Sequence, residues 1–385
     1  MILRICRGHA KYVLTVIRST NILVEYIVII VLSCVALLIS AWLSVSVQRK
    51  VAYSIILLLT LFSALRGYVG TDTYSYHQIF WDATDQTRGD LYSRIEPLFG
   101  VLIDLFSSLG FGSSIFIAAI SVLQGALLLF VVRLLPNPAM FLASYVAILF
   151  INLHFNIIRS GVSILFVLIA LGLMQQGSRC LLGWAISGLS VAAHYSAFVF
   201  VGPLLIFFNR GRYKIFLVSV LSLFFLGGLY YIGVNDDLLG KMSIYSEVLS
   251  EPRRQTGGGT LFVALILYSV LFYSVQGLMR AELRYIVWAS FAVWFVLRVV
   301  THFYEIVGRL EIIAATLFIY SVFSVNLSGR SRQLRRLTTV LLVLAYVGIG
   351  LYGLSQEKQT LLDSFGNSVE NKSPFVPYRF TWEQD

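Results

Sequence analysis

Charged residues are scarce in this chain. They make up 12% of its 385 residues, about half of the roughly 25% usual in soluble domains. The shortfall runs the whole length, so no stretch has the composition of a soluble domain, and lipid is the solvent implied. Cysteine is nearly absent. The three present, Cys6, Cys34 and Cys180, lie in or beside apolar segments without metal-type spacing, which argues against a disulfide framework and a zinc site. Acidic residues are few, 19 against 29 Lys and Arg, for a formal charge of +10. That balance could mark a nucleic-acid partner, but no basic, aromatic-interleaved soluble module is visible, and none is expected to bind. No internal repeat is visible either, so the inverted-repeat signature of many transporters is missing.

What is present is apolar: 58% of residues are hydrophobic and the mean hydropathy is +0.82. The fold class expected is all-α, a single polytopic transmembrane helix bundle of about 10–12 spans. Runs of spanning length lie near 22–45, 50–66, 113–133, 139–156, 158–175, 214–233, 260–279, 285–301, 309–326 and 336–354. The run from Ile22 to Val45 is too long for a signal-peptide core and lacks a small-residue cleavage site. Two segments fit the ruler poorly. Residues 96–110 are short and carry Asp104, so a re-entrant segment is expected there. Residues 181–208 are over-long and interrupted by His194-Tyr195-Ser196, which predicts two short helices meeting at that triplet.

The organisation expected is a basic N-terminal segment over 1–20, a membrane domain over 21–355 with external loops at 67–95 and 234–259, and a polar external tail over 356–385. The first segment, with Arg4, Arg7, Lys11 and Arg18, reads either as a basic amphipathic helix on the membrane surface or as an extended start without function. In the second loop, Arg253-Arg254-Gln255-Thr256-Gly257-Gly258-Gly259 lacks the strand-loop-helix context and the lysine of a phosphate loop. In the tail, Pro374 to Phe380 predicts a docked extended segment.

Short basic connections at Arg49-Lys50, Arg133, Arg179, Arg210–Lys214, Arg280–Arg284 and Arg330–Arg336 set the cytoplasmic side. The opposite side receives four polar clusters. The first runs from Arg66 through Asp72, Tyr74, Tyr76 and His77. Tyrosine rings stack on sugars and an aspartate can accept a hydroxyl proton, although Arg66 alone equally fits a snorkelling arginine at a helix end. The second is Asn152, His154, Asn156 and Arg159, where a planar guanidinium could pair two phosphate oxygens or simply snorkel beside a capped turn. The third is His194, an acid-base group or a satisfied core histidine. The fourth packs Arg298, His302, Tyr304, Glu305, Arg309 and Glu311 into one helix-helix turn. Arginines 298 and 309 there suit an anion, while Glu305 and Arg309, four apart, also suit a helix-surface pair. One-sided clustering of arginine with aromatic residues fits a phosphate-bearing, sugar-bearing substrate, with neither metal nor cofactor expected.

The motifs resemble those of the Wzy/EpsG-type polysaccharide polymerases. The landmarks are the arginine closing the second span, Val69-Gly70-Thr71-Asp72 with the tyrosines after it, and Glu96-Pro97-Leu98-Phe99. They continue through Asn156-Ile157-Ile158-Arg159-Ser160, Ala193-His194-Tyr195-Ser196-Ala197, Gly308-Arg309-Leu310 and Pro377-Tyr378. Thr73 stands where many relatives have tyrosine, and Ser160 where glutamine is usual, which bears on substrate contacts more than on the family. The resemblance implies a GT-C-like membrane glycosyltransferase. Such an enzyme joins oligosaccharide units carried on undecaprenyl pyrophosphate, on the external face of the bacterial inner membrane, for O-antigen, capsule or exopolysaccharide. In this reading Arg159 and Arg309, with Arg66 and Arg298, bind the departing pyrophosphate, and Asp72 or His194 accepts the hydroxyl proton. The remaining residues, Tyr74, Tyr76, His302, Tyr304 and Glu305, line the substrate. Membrane lipid, a chain-length regulator and a flippase are the partners it implies. Alternatives are an O-antigen ligase of related fold, a lipid-linked oligosaccharide flippase or other transporter, and a sugar-modifying acyltransferase.

Overall fold

The computed structural model describes residues 26, 28–67, 69–70, 73–85, 95–175, 180–197, 201, 258–300, 304–327, 329–356, 359–362 and 368–372. The N-terminal segment 1–20, most of the 234–259 loop and the Pro374–Phe380 segment lie outside the described residues. The chain is an all-α membrane protein. Among the described residues its helices are α1 (Val28–Ser40), α2 (Val45–Ala64), α3 (Thr73–Asp85), α4 (Pro97–Ser108), α5 (Ser113–Leu134), α6 (Pro138–Ile148), α7 (Ile158–Gln175), α8 (Cys180–Ala193), α9 (Gly258–Val275), α10 (Ala281–Val300), α11 (Tyr304–Ser324) and α12 (Gly329–Gln356). Among the described residues α2, α5 and α7 are long and apolar enough to cross a membrane. One short antiparallel hairpin, β1 (Gln359–Leu362) with β2 (Ser368–Lys372), follows α12. A strand of four residues leaves no trace on a span-length hydropathy window, so the tail reads as merely polar in sequence.

Apolar faces point both ways. α7 is buried around its whole circumference and forms the centre of the bundle. α12 instead turns Leu334, Leu337, Leu341 and Leu344 outward, a stripe at helical spacing that would be costly in water and is normal against lipid.

Helix ends explain where the boundaries depart from the apolar runs. The run expected over 22–45 breaks at Ala41–Ser44, because Ser44 Oγ accepts from the Val47 N–H at 3.5 Å and starts α2. Gln48 folds its amide back onto the Ala41 and Leu43 carbonyls at 3.3 and 3.0 Å. Arg49-Lys50 therefore lies inside α2, and Arg330–Arg336 inside the first turns of α12, instead of in connections.

The 96–110 segment is an apolar helix, α4, begun by Pro97 at its first turn. It closes in a Schellman turn. The Phe111 N–H donates to the Phe106 carbonyl at 2.9 Å and the Gly110 N–H to Ser107 at 3.0 Å. Gly110 takes φ 76°, and the Phe106 and Phe111 rings pack 5.7 Å apart. Of the two helices expected over 181–208, α8 ends at Ala193, with a short 3-10 turn (Tyr195–Ala197) after it. Most of the rest lies outside the described residues.

At one end of the bundle, side chains cap helix carbonyls. Arg335 Nη1 donates to Val322 and Val325 at 2.9 and 2.8 Å, Asn137 to Phe323 and Val325 at 3.3 and 3.0 Å, and Arg280 to Met174 and Gln175 at 3.3 and 3.0 Å. α7 finishes at this end, and its first residue, Ile158, lies at the other, beside Arg159 and the π turn.

Candidate functional site

A small apolar core positions the site. Tyr76, Phe80, Ile95, Phe99, Ile158 and Ala193 belong to one buried cluster drawn from α3, α4, α7, α8 and their flanks. Three of its members stand one residue before a polar group: Ile95 before Glu96, Ile158 before Arg159, Ala193 before His194. Packing those apolar neighbours together brings the three polar side chains to one point.

They meet on Glu96. Its backbone is extended, with φ −60° and ψ 141° at the N-cap of α4, and its carboxylate makes no capping bond. One oxygen, Oε2, accepts from Arg159 Nη1. The other, Oε1, accepts from His194 Nδ1 at 2.5 Å. The Arg159 guanidinium also sits over the Tyr76 ring, 5.6 Å from its centroid, a distance at which the ring quadrupole attracts a cation.

Accessibility grades the three groups. The side chain of Glu96 is 7% exposed, that of His194 12% and that of Arg159 24%. Burial pushes the Glu96 carboxyl up, but the His194 hydrogen bond and the Arg159 charge outweigh it, and the net direction is down from 4.5. Glu96 is therefore a carboxylate at neutral pH and can only accept. His194 Nδ1 must then carry a proton, and in the neutral ring Nε2 presents a lone pair. That Nε2 has no hydrogen-bond partner among the described residues. Arg159 Nε is buried and also lacks one there. The arrangement thus offers a base and a part-exposed guanidinium, held by the same carboxylate.

Behind Arg159 the chain makes a π-helical turn, Asn152–Asn156, that breaks at Ile157 with φ −94° and ψ 59°. Arg66, 3% exposed, donates through Nη1 to the His154 carbonyl and sits 4.8 Å from the Phe155 ring centroid. His154 is buried, its Nε2 3.0 Å from the Tyr145 hydroxyl. His77 Nδ1 lies 2.7 Å from Ser113 Oγ. Burial, helped by the Arg66 charge, lowers its pKa from 6.5 to about 4.

The residues expected in the site are thus placed unequally. Arg159, His194 and Tyr76 come together. Tyr74 is 56% exposed, away from Tyr76 across the first turn of α3. Arg66 is buried against the π turn. Asp72 and His302 lie outside the described residues. Arg298 is in the last turn of α10, and Tyr304, Glu305 and Arg309 in the first turns of α11; their side chains lie outside the described residues. Glu96 was legible only as part of a family motif, Thr73 only as a departure from one, and Gln124 carried no signal. For Glu96 a signal exists: an acid directly before a helix-starting proline, in a chain with 19 acidic residues, at the edge of an apolar run.

A membrane helix bundle with arginine, histidine and carboxylate gathered at one end defines a polytopic protein with a polar site at its margin. A family model, the EpsG family, matches residues 49–365, and the chain belongs to that family, the Wzy/EpsG-type polysaccharide polymerases. The match takes in α2 from Arg49 onward, α3 to α12 and every residue of the site. No curated protein and no solved structure matches the chain.

Proposed function

We propose that this protein polymerises oligosaccharide repeat units, carried on undecaprenyl pyrophosphate, into a surface polysaccharide on the external face of the bacterial inner membrane. The observation that carries the reading is the single carboxylate, Glu96, shared by Arg159 and His194. A glycosyl transfer from a lipid pyrophosphate needs a base for the attacking hydroxyl and a cation for the leaving group, close together and held rigidly.

His194 Nε2 accepts the proton of the acceptor sugar's hydroxyl as its oxygen bonds the anomeric carbon of the donor chain. The bond from that carbon to the pyrophosphate oxygen breaks, its electron pair leaving with the lipid pyrophosphate. Glu96 stabilises the imidazolium that forms, as a carboxylate does beside a catalytic histidine. Arg159, its side chain 24% exposed, meets the charge developing on the pyrophosphate with the guanidinium edge that Glu96 leaves open. Arg309 and Arg298 remain candidates for a second contact to that anion, and Asp72 for a second polar contact to the acceptor.

Deleting the gene and running the cell's surface polysaccharide on a gel tests this. A polymerase predicts single repeat units still attached to the surface, restored to a ladder by the wild-type gene and not by Arg159→Ala or Arg309→Ala. Loss of all surface units, with lipid-linked chains retained in the membrane, would favour a ligase. A normal ladder from both arginine variants would sink the pyrophosphate assignment.

A further inference from the structure

Three consecutive carbonyls of the π turn, those of Leu153, His154 and Phe155, are met by side chains from three other places in the chain. Gln124 of α5 donates to Leu153 at 2.9 Å, and its other amide hydrogen to Ile158 at 3.0 Å. Arg66, just beyond α2, donates to His154. The Thr73 hydroxyl, opening α3, lies 2.6 Å from the Val69 carbonyl and 3.3 Å from that of Phe155. All three side chains are buried.

The chemistry requires such donors. A helix that stops leaves its last carbonyls without N–H partners, and a buried carbonyl left unpaired costs free energy. The break at Ile157 orphans the carbonyls of the last turn in the bundle interior, out of reach of water. A cation is the best donor there, because the C-terminal end of a helix carries partial negative charge. Arg66 supplies it.

We infer that Arg66, Thr73 and Gln124 are positioning residues. They hold the broken turn in one conformation and so set the path of the chain into Arg159, one residue beyond the Ile158 carbonyl that Gln124 grips. The polar segment after α2 then serves the reaction through the backbone of the π turn, and Arg66 does not touch the sugar or the pyrophosphate. This rests on the assignment of Arg159 to the leaving group.

The test is a set of double-mutant cycles with purified full-length protein. The probe is the lipid-linked repeat unit extracted from cells that lack the gene, and turnover is counted per folded molecule. Thr73→Val and Gln124→Leu each remove donors at nearly constant volume. Each is expected to lower kcat by roughly 10–100-fold, the scale of a small misplacement, with KM changed less. Thr73→Ser, which keeps the hydroxyl, is expected to recover most of the Thr73→Val loss, and Arg66→Lys, which keeps a cationic donor, to lose less turnover than Arg66→Met. In an Arg159→Lys background the same changes should cost less than about twofold more, because residues acting through one group are not additive.

Losses that multiply in that background would overturn the proposal. So would full turnover per folded molecule with only the amount of folded protein reduced, since the donors would then serve stability alone. If Arg159→Lys itself left turnover unchanged, the assignment of Arg159 would fall, and that result is separate from either outcome of the cycles.

Discussion

Glu96 Oε1 accepts from His194 Nδ1 at 2.5 Å while the second oxygen of the same carboxylate accepts from Arg159. One group thereby fixes the tautomer of a base and the position of a cation. Replacing it with its neutral isostere separates these duties from its volume. Glu96→Gln is expected to lower polymer formation by about 10²–10⁴-fold, between the cost of losing an orienting partner and that of a wrong tautomer. Glu96→Asp, which keeps the charge but shortens the reach, should fall between. Chain length on gels, normalised to protein in the membrane, measures both. Wild-type ladders from Glu96→Gln would remove Glu96 from the chemistry.

The long apolar helices could be read from sequence because about 20 apolar residues suffice to cross a bilayer. α7, expected over 158–175, is found at Ile158–Gln175. The Ser44 break could not, because a serine inside an apolar run says nothing until its Oγ is seen to take the Val47 N–H. The site divides in the same way. Arg159 and His194 stood out as polar groups at helix ends. Their common partner did not, because Glu96 lies 63 residues from one and 98 from the other, and no periodicity links them. Arg66 was legible as an arginine but not as a donor to a carbonyl 88 residues on.

Acid should weaken the fold in two separable windows. His77 holds a pKa of about 4 against an ordinary 6.5. The unfolded chain takes up its proton first, so stability falls as the pH drops from 6.5 toward 4 and the loss is complete below that. Glu96 is depressed from 4.5, so its contribution is present above that value and is lost as the pH falls through the lower one. Thermal unfolding in detergent, followed from neutral pH downward, should show both. His77→Asn is expected to make the upper window shallower without moving the lower one, and Glu96→Gln the reverse. An upper window unchanged by His77→Asn would count against this account.

Two glycines with positive φ should behave differently. Gly110 has φ 76° and open space around its missing side chain, whereas a side-chain carbon on Gly70, at φ 110°, would stand 2.6 Å from the Phe155 carbonyl oxygen. Gly110→Ala therefore carries only the conformational penalty, roughly 1–2 kcal/mol, and should leave turnover per folded molecule unchanged. Gly70→Ala must also shift the π turn that leads into Arg159, so it should lower both stability and turnover. Measured Tm and turnover for the pair decide the matter, and equal effects would show that the π turn tolerates displacement.

Tyr76 and Tyr74 differ in the same sense, although only two residues separate them. Tyr76 is 7% exposed and lies beneath the Arg159 guanidinium, whereas Tyr74 is 56% exposed. A buried ring under a cation steadies the cation, and little of it remains for stacking on a sugar. Tyr76→Phe keeps the ring but removes the hydroxyl that also bonds Arg159, so it should lower activity less than loss of the ring does. Tyr76→Leu removes a cation–π contact of about 0.5–2 kcal/mol, so kcat should fall by roughly 2–30-fold. Tyr74→Ala tests the open ring: if it is a sugar platform, KM rises while kcat holds, the mark of lost uniform binding. Steady-state kinetics on the extracted lipid-linked repeat unit separates these patterns. A Tyr76→Leu enzyme with unchanged kcat would mean that Glu96 alone holds the guanidinium.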